Sequence, residues 1–226
     1  MLTAIIVAAG SSLRMGFDKL MAPLGDKTVL DHAVDAFEHT PSVTEIIVVA
    51  RPDRVDEFQQ LLCDRKKLRG VVAGGEHRQD SVRAGLQRVA KEARYIAVHD
   101  AARPLVRPDQ IESVYRQARE MGAASLASPI TDTLKRVDEH MQVIESVDRK
   151  NMCAMETPQI FAREILEEGY ERVAEQGLQI TDEVSAVEAL GHKVVLVPSG
   201  DFNFKITYER DLALAEMILR QRAASR

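Results

Sequence analysis

The 226-residue sequence contains no tryptophan, and only 4% of its residues are aromatic. Proteins that bind single-stranded nucleic acid commonly stack its bases on aromatic side chains, so we expect no nucleic-acid partner. The two cysteines, Cys63 and Cys153, form neither a disulfide framework nor a zinc signature. We therefore expect the protein to reside in a reducing cytoplasm.

Long apolar runs and a strong net charge are also missing. No apolar run approaches the roughly 20 residues needed to cross a bilayer, so we expect no membrane association. The first ten residues, MLTAIIVAAG, carry no basic leader, and we expect them to enter the fold directly and not to act as a signal peptide. The formal net charge is −5, so any phosphate binding must be local.

The two best-known phosphate-binding loops do not occur in the sequence, which has neither G-x-x-x-x-G-K-[ST] nor G-x-G-x-x-G. Instead, the apolar run Ala4–Ala9 predicts a buried strand, and Gly10, two serines and two cations, Arg14 and Lys19, follow it. Small residues let a backbone approach a ligand closely, and successive N–H groups can form an anion-binding concavity. This pattern favours a polyphosphate cradle over an ordinary strand-to-helix turn.

Strand-like apolar runs alternate with helix-like stretches through the first half of the sequence. Such alternation predicts an α/β fold, with a Rossmann-like, mostly parallel sheet and helices on both faces. The length fits a single domain, residues 1–226. The predicted strands are Ala4–Ala9, Glu45–Ala50, Gly70–Ala73, Tyr95–His99, Ala124–Pro129, Lys193–Pro198 and Asn203–Ile206, and the predicted helices are Val29–Glu38, Val55–Leu62, Ser81–Val89, Arg107–Met121, Ala162–Gln176, Asp182–Leu190 and Glu209–Arg222.

After residue 130, strand-like and helix-like segments no longer alternate. Two runs of alternating apolar and polar residues, Thr133–Val137 and Gln142–Val147, flank a polar turn and predict a β-hairpin. An isolated hairpin is marginally stable in water, so it must pack on another surface. Two surfaces remain open, a second subunit and the hairpin's own domain. We favour the second subunit and interpret residues 131–155 as a protruding arm inserted in the domain.

Two groups of polar residues follow predicted strands. Gly74-Gly75 allows a sharp turn with positive φ, and the polar groups beside it suit the edge of a cytosine base. Ser81 fits that interpretation, and it fits the N-cap of the next helix equally well. Asp100 suits a Mg²⁺–phosphate centre, although it can also pair with Arg103 or cap a turn.

The second half of the sequence carries scattered threonines and cations, which are natural binders of phosphate and hydroxyl groups. Each of them alone fits a cap, a turn or a surface charge equally well, as does Thr181, an expected N-cap of the helix after it. Lys205 differs, because it lies in the apolar alternation Phe202–Ile206, where an unpaired ammonium would be costly. We expect Lys205 to meet an anion, and we expect His99 to be structural.

These residues form an ordered series of motifs over nearly the whole chain. The series reads AAGSSLRM at Ala8–Met15, GGEHRQDS at Gly74–Ser81, HDAARP at His99–Pro104, DT at 132–133, DR at 148–149, TPQ at Thr157–Gln159, ITDE at Ile180–Glu183 and NFKIT at Asn203–Thr207. It resembles the 2-C-methyl-D-erythritol 4-phosphate cytidylyltransferases of the non-mevalonate isoprenoid pathway. Ser12, Asp18 and Leu20 depart from that pattern, which has Gly, Pro and Gln there.

The resemblance implies a nucleotidyltransferase that moves a cytidylyl group from CTP to 2-C-methyl-D-erythritol 4-phosphate, giving 4-diphosphocytidyl-2-C-methyl-D-erythritol and pyrophosphate. It implies CTP as co-substrate, Mg²⁺ or another divalent cation, and a homodimer joined through the arm. The alternatives are a cytidylyltransferase for another polyol phosphate, such as ribitol 5-phosphate, and a non-catalytic nucleotide-binding protein on the same fold.

The resemblance also implies roles for individual residues. It assigns catalysis to Arg14, Lys19, Arg149 and Lys205, nucleotide binding to Ala8, Ala9, Gly10, Gly75, Glu76 and Ser81, and polyol phosphate binding to Thr133, Arg149, Thr157, Thr181 and Lys205. Asp100 joins the nucleotide side as the expected metal ligand.

Overall fold

The computed structural model of the chain describes residues 1–10 and 18–224. The strands are β1 Leu2–Ala8, β2 Pro23–Leu24, β3 Lys27–Thr28, β4 Val43–Ala50, β5 Leu68–Ala73, β6 Tyr95–Asp100, β7 Ala123–Pro129, β8 Leu134–Val137, β9 Val143–Val147, β10 Cys153–Ala162 and β11 Val195–Pro198. The helices are α1 Val29–Glu38, α2 Val55–Leu61, α3 Arg78–Leu86, α4 Pro108–Met121, α5 Arg163–Gln176, α6 Glu183–Glu188 and α7 Glu209–Ala224, with a short 3₁₀ helix at Pro52–Arg54.

Within the described residues, seven strands form one sheet in the order β11-β7-β10-β6-β1-β4-β5. Neighbouring strands run parallel except where β10 pairs antiparallel with β6 and β7. The predicted mostly parallel sheet is therefore confirmed. The sequence does not predict β10 as a strand, and this strand is the one that inserts between the two parallel parts.

Both faces of the sheet are covered by helices, as predicted. Ala4 and Ile6 of β1 pack in an apolar cluster with residues of α1, α4 and α7. Ile5, between them in sequence, packs on the other face with residues of α3, α5 and α6. Successive strand side chains point to opposite faces, so a continuous apolar run is what a strand buried on both faces requires.

The predicted hairpin is present, formed by β8 and β9. Among the described strands, these two pair with each other and with no other strand. Several large apolar side chains of the hairpin are solvent-exposed, including Met141, Val143 and Ile144, the first of them by 78%. An exposed apolar surface of this kind is typical of a site where another surface packs.

Helix α3 begins at Arg78, one turn before the predicted helix Ser81–Val89. The carboxylate of Asp80 accepts the N–H of His77 at 3.1 Å and so fixes the start of the helix. Ser81 therefore lies inside the helix, where it is 1% exposed and donates its hydroxyl to the carbonyl of His77. The N-cap interpretation of Ser81 is wrong.

The N-cap of α6 is Asp182, so the predicted cap at Thr181 is wrong. The carboxylate of Asp182 accepts the N–H of Ser185 at 3.1 Å and its hydroxyl at 2.6 Å. A carboxylate caps a helix at least as well as a threonine hydroxyl does. The helix therefore starts one residue later than the sequence predicts.

Candidate active site

A cavity of about 310 Å³ lies where β1, β5 and β6 end, at the carboxyl edge of the parallel strands. This is the edge at which ligands bind in open α/β sheets. The cavity brings together residues from all three predicted loops and from the segment after β11. It is lined by Val7, Ala8, Ala9, Gly10, Lys19, Leu20, Gly75, Glu76, His77, Arg78, Ser81, Asp100, Ala102 and Lys205.

The loops after β1 and β5 pack against each other closely enough to require glycine. A Cβ on Gly74 would lie 2.9 Å from the Cβ of Ala9 and 2.6 Å from Oγ of Ser81, and a Cβ on Gly75 would lie 2.4 Å from Cβ of Asp80. Neither glycine has a φ in the left-handed region. The sequence argument from positive φ is therefore wrong, and close approach is the reason for these glycines.

Lys19 lines the cavity on a segment that two neighbouring residues hold in place. The carboxylate of Asp18 accepts the N–H of Leu20 at 3.0 Å and forms an ion pair with Arg54. Leu20 itself is buried, with 4% of its surface exposed. Asp18 and Leu20, two of the residues that depart from the family pattern, thus support the backbone around Lys19. Arg14, the other cation predicted for this loop, lies outside the described residues.

Asp100, at the end of β6, carries the negative charge at the centre of the cavity. Its Oδ1 accepts Nε–H of Arg78 at 3.1 Å, and its Oδ2 accepts Nζ–H of Lys205 at 2.8 Å. Lys205 does meet an anion, as predicted, and the anion is this carboxylate. Arg103 donates its backbone N–H to the Asp100 carbonyl at 2.9 Å, and its guanidinium acts on the carboxylate by charge without forming an ion pair. The predicted alternative of an Asp100–Arg103 ion pair is therefore wrong.

Burial and charge act in opposite directions on these ions. Burial alone would raise the pKa of Asp100, but the charges of Arg78 and Lys205 hold it well below its usual range. Burial alone would lower the pKa of Arg78, but Glu183 and Asp100 hold it well above its usual range. Both groups are therefore charged across the range in which proteins function.

His99 is buried beside the cavity and has a structural role, as predicted. Burial lowers the pKa of His99 to about 4. Its Nε2 is 3.1 Å from the carbonyl of Arg103, which can only accept, so Nε2 carries the proton. Nδ1 then accepts the hydroxyl of Thr157 at 2.9 Å, and the same hydroxyl oxygen accepts the N–H of Asp100 at 3.1 Å. This chain of hydrogen bonds fixes the end of β6.

The segment Asn203–Ile206 carries Lys205 to the cavity, but it pairs in no described sheet, so the predicted strand there is wrong. Single hydrogen bonds hold it instead. Ile206 donates its backbone N–H to the carbonyl of Ala102 at 2.7 Å, and the side-chain amide of Asn203 donates to the carbonyl of Thr157 at 2.9 Å. Contacts to the loop after β6 and to β10 therefore direct Lys205 into the cavity.

The residues predicted for the polyol phosphate side do not meet in this cavity within one chain. Thr133, Arg149 and Thr181 are exposed, and Arg149 donates to the carbonyl of Thr131 at the base of the hairpin. Thr157 is 4% exposed and lies behind Asp100, with its hydroxyl engaged as described above. Of that predicted set, Lys205 alone lines the cavity.

The cavity offers a divalent cation the carboxylate of Asp100, the expected ligand, and that of Glu76. Among the described residues, no group of three or more His, Cys, Asp and Glu side chains could hold a metal ion. Mg²⁺, however, commonly takes one or two carboxylates together with substrate phosphates. Asp100 remains ionised, and it fits as a single protein ligand whose oxygens a bound cation would share with Arg78 and Lys205.

Two charged residues of this site have no assigned role in the sequence analysis. Arg78 lines the cavity, and Glu183 pairs with it from α6 through two hydrogen bonds. Both lie within motifs that the analysis singles out, GGEHRQDS and ITDE. Position within a motif is the only signal in the sequence, because the two residues are 105 positions apart.

Comparison with known proteins gives a consistent result. The family model described as "IspD: 2-C-methyl-D-erythritol 4-phosphate cytidylyltransferase" matches residues 2–221. The 2-C-methyl-D-erythritol 4-phosphate cytidylyltransferases of Desulforamulus reducens and Caldanaerobacter subterraneus are 37% and 36% identical, over 98% and 97% of this chain and 97% and 99% of theirs. The crystal structure of 4-diphosphocytidyl-2C-methyl-D-erythritol synthase from Anaerococcus prevotii is similar with a TM-score of 0.85 at 28% identity, covering 97% of this chain and 98% of that one.

Proposed function

This chain belongs to the 2-C-methyl-D-erythritol 4-phosphate cytidylyltransferase family, which makes it a nucleotidyltransferase, and we propose that its cavity is the site of the transfer. The reaction moves the cytidylyl group of CTP to 2-C-methyl-D-erythritol 4-phosphate, giving 4-diphosphocytidyl-2-C-methyl-D-erythritol and pyrophosphate. The observation that carries the proposed site is the convergence of Lys19 and Lys205 on one cavity at the carboxyl edge of the sheet.

The attacking group in this reaction is a phosphate monoester, whose second pKa is about 6. It is largely ionised at neutral pH, so the enzyme needs no general base. The remaining task is to bring two polyanions together and to stabilise the charge that grows on the α-phosphoryl and pyrophosphate groups. Fixed cations and positioning perform this task. We assign it to Lys19, Lys205, Arg149 and Arg14, the last of which lies outside the described residues.

The nucleotide side of the cavity consists mainly of small residues and backbone groups. Ala8 ends β1, Ala9 and Gly10 follow it, and a Cβ on Gly10 would meet no atom of the described residues within 4 Å. Gly75, Glu76 and Ser81 line the cavity from the loop after β5 and the start of α3. We propose that the triphosphate lies along the first group and that the cytosine edge, with its amino donor, faces the second.

A divalent cation, which we propose to be Mg²⁺, would be held by Asp100 and the triphosphate. When bound, it would stabilise negative charge on the reacting phosphate groups and help to orient them. Asp100 contributes an ionised carboxylate that sits between two cations, so its position is already defined before ligands arrive.

The acceptor side of the site is incomplete in one chain, and we propose that a homodimer completes it. Thr133 and Arg149 lie on or beside the hairpin, whose exposed apolar side chains include Val143 and Ile144. In this proposal the arm, residues 131–155 of the single nucleotidyltransferase domain, extends to the partner chain. Arg149 then binds the polyol phosphate in the partner's cavity, with Thr133 and Thr181 beside it, whereas Thr157 supports Asp100 from behind.

The proposed location is the cytoplasm. Both cysteines are free and solvent-exposed, which suits a reducing compartment. Of the helices that the structure describes, none is long and apolar enough to cross a membrane.

The activity is tested by incubating the purified protein with CTP, Mg²⁺ and 2-C-methyl-D-erythritol 4-phosphate. We expect equal amounts of pyrophosphate and of the cytidine diphosphate product, identified by mass spectrometry. Ribitol 5-phosphate is the control acceptor, with an expected kcat/KM at least about 100-fold lower, because its chain is one carbon longer and lacks the methyl branch, which would misplace the attacking phosphate. Faster turnover of ribitol 5-phosphate, or CTP binding with no turnover of either acceptor, would contradict the proposal.

The homodimer is tested by co-expressing a Lys19→Ala chain with an Arg149→Ala chain. If Arg149 acts in the partner's cavity, each mixed dimer has one intact site, and about a quarter of all sites regain activity. If both residues act within one chain, the mixture stays as inactive as either variant alone. Ile144→Glu on the hairpin is expected to yield monomers in sedimentation, whereas Leu214→Glu, at an exposed position of α7, is the matched control.

A further inference from the structure

Glu183 is a fully buried carboxylate to which the proposed reaction gives no role. Its Oε1 accepts Nη1–H of Arg78 at 2.6 Å, and its Oε2 accepts Nη2–H of the same residue at 2.9 Å. The hydroxyl of Tyr170 donates to Oε1 at 2.9 Å. Burying a carboxylate is costly even when it is paired, so its retention at this place needs an explanation.

The backbone of Glu183 is fixed to the sheet. Oε1 of Gln159, on β10, accepts the N–H of Glu183 at 3.0 Å and that of Val184 at 3.1 Å. Nε2 of the same Gln159 donates to the carboxylate of Asp182, the N-cap, at 3.0 Å. The start of α6 is thereby held by the strand that adjoins β6, and the Glu183 carboxylate has a defined position relative to Asp100.

The geometry of Arg78 connects this buried carboxylate to the cavity. A guanidinium group presents its N–H donors in one rigid plane. Because Glu183 takes both terminal nitrogens, Arg78 meets Asp100 through Nε, which bonds Oδ1 at 3.1 Å. Oδ2 of Asp100 is then available to Lys205 at 2.8 Å. Negative and positive charges alternate from Glu183 to Lys205, and each group orients the next.

We propose that Glu183 is a positioning residue for cytidylyl transfer. It prevents Arg78 from forming a bidentate ion pair with Asp100 and thereby leaves Oδ2 of Asp100 to Lys205. Two parallel N–H···O bonds are a favoured arrangement of arginine with a carboxylate. Without the charge of Glu183, both terminal nitrogens of the Arg78 guanidinium bond Asp100 and displace the ammonium of Lys205. The inference rests on the proposed function of the cavity.

A double-substitution cycle in kcat tests this inference on the full chain, with Glu183→Gln, Lys205→Gln and both together. Glu183→Gln is expected to lower kcat about 100-fold, the loss that follows from moving a reacting group by about 1 Å. In the Lys205→Gln background the same change is expected to lower kcat less than about threefold, because the group that it positions is already gone. Losses that multiply in the double variant would overturn the proposal.

Glu45→Gln is the matched control, because Glu45 is also a buried glutamate with one arginine and one hydroxyl partner. Its carboxylate pairs with Arg69 at 2.5 Å and accepts the hydroxyl of Thr3 at 3.2 Å. It lies near the amino end of β4, away from the cavity. Glu45→Gln is expected to lower the melting temperature and to leave kcat within about twofold. An equal kcat loss in both glutamate variants would assign Glu183 a structural role only.

Glu183→Asp keeps the charge on a shorter side chain and replaces Glu183→Gln if that variant does not fold. We expect Glu183→Asp to lower kcat less than Glu183→Gln does, and we expect this loss to disappear in the Lys205→Gln background. A crystal structure of the Glu183 variant gives a readout without substrate. In Glu183→Gln, we expect both terminal nitrogens of Arg78 to bond the carboxylate of Asp100, and we expect Lys205 to lie beyond hydrogen-bond distance of that carboxylate. An unchanged Asp100–Lys205 pair would overturn the inference. A parent enzyme that forms no product would contradict the proposed function separately.

Discussion

Lowering the pH from 7 to 5 is expected to destabilise this protein through one buried side chain, His99. The imidazole is 0% exposed, packs 5.0 Å from the ring of Phe37 and has both nitrogens in hydrogen bonds. The bond that Nδ1 accepts from Thr157 requires the neutral form, because both ring nitrogens of a charged imidazole are donors. Burial lowers its pKa from 6.5 to about 4. Between pH 6.5 and about pH 4, the unfolded chain binds a proton at this site and the folded protein does not.

The sign and size of the effect follow from proton linkage. Because the unfolded state binds more protons in this window, the free energy of unfolding falls as the pH falls from about 6.5 to about 4. The full difference corresponds to about 3 kcal/mol, since a tenfold change in proton affinity is worth about 1.4 kcal/mol. From pH 7 to pH 5, the expected loss is about 2 kcal/mol. Asp100 contributes little here, because its lowered pKa affects stability only below the pKa of an unfolded aspartate.

Urea unfolding at pH 7 and pH 5 measures this loss for the parent chain and for His99→Gln. The variant cannot titrate in this range, so the part of the pH dependence that belongs to His99, about 2 kcal/mol, should disappear from it whatever its stability at pH 7. His140→Gln, at an exposed position of the hairpin turn, is the control and should keep the parent's pH dependence. The same loss of stability in the parent and in His99→Gln would refute the assignment of the effect to His99.

Three substitutions give further predictions. Lys19→Ala is expected to lower kcat by about 100-fold to 1000-fold with little change in KM, because the ammonium stabilises charge that develops in the transition state. Gly74→Ala places a Cβ 2.6 Å from Oγ of Ser81, which should displace the cavity wall and raise KM for CTP by about tenfold. Gly85→Ala places a Cβ 2.7 Å from Cγ2 of Ile5 in the core, which should cost about 1–3 kcal/mol in urea unfolding.

Each of these predictions has a result that contradicts it. Near-normal kcat with a raised KM for Lys19→Ala would remove it from the catalytic set. Lys66→Ala, at an exposed position after α2, is the control for a general loss of positive charge. An unchanged KM for Gly74→Ala would show that the cavity wall tolerates a methyl group. Greater stability for Gly85→Ala would mean that helix propensity, worth up to about 1 kcal/mol, outweighs the clash.

The parallel part of the fold was predictable because its strands are buried on both faces. The run Ala4–Ala9 is apolar throughout, and the structure places β1 at Leu2–Ala8. Helix α1 occupies the predicted range Val29–Glu38, and Thr28 caps it. In such segments, local composition and burial agree, so the sequence pattern is sufficient.

Strand β10 was not predictable in the same way, because its polar residues are satisfied by partners distant in sequence. Glu156 is 7% exposed and accepts hydrogen bonds from Ser128 and from Asn203. Gln159 is 1% exposed and holds the start of α6. A buried polar residue with long-range partners has the local sequence pattern of a loop, so periodicity misses it.

The candidate site was predictable at the level of its loops but not of its ion pairs. Parallel strands end at one edge of the sheet, so the residues after β1, β5 and β6 had to come close together. The pairing of Asp100 with Arg78 and Lys205, in contrast, depends on side chains from three separate segments. Composition and spacing do not determine which cation meets which carboxylate.

A crystal structure of the protein with CTP and Mg²⁺ tests the central claim most directly. We predict the triphosphate within hydrogen-bond distance of Lys19 and of the backbone at Ala9-Gly10, the cytosine beside Gly75, and the cation on Asp100. Nucleotide bound elsewhere on the molecule, with this cavity empty, would contradict the claim that cytidylyl transfer takes place here.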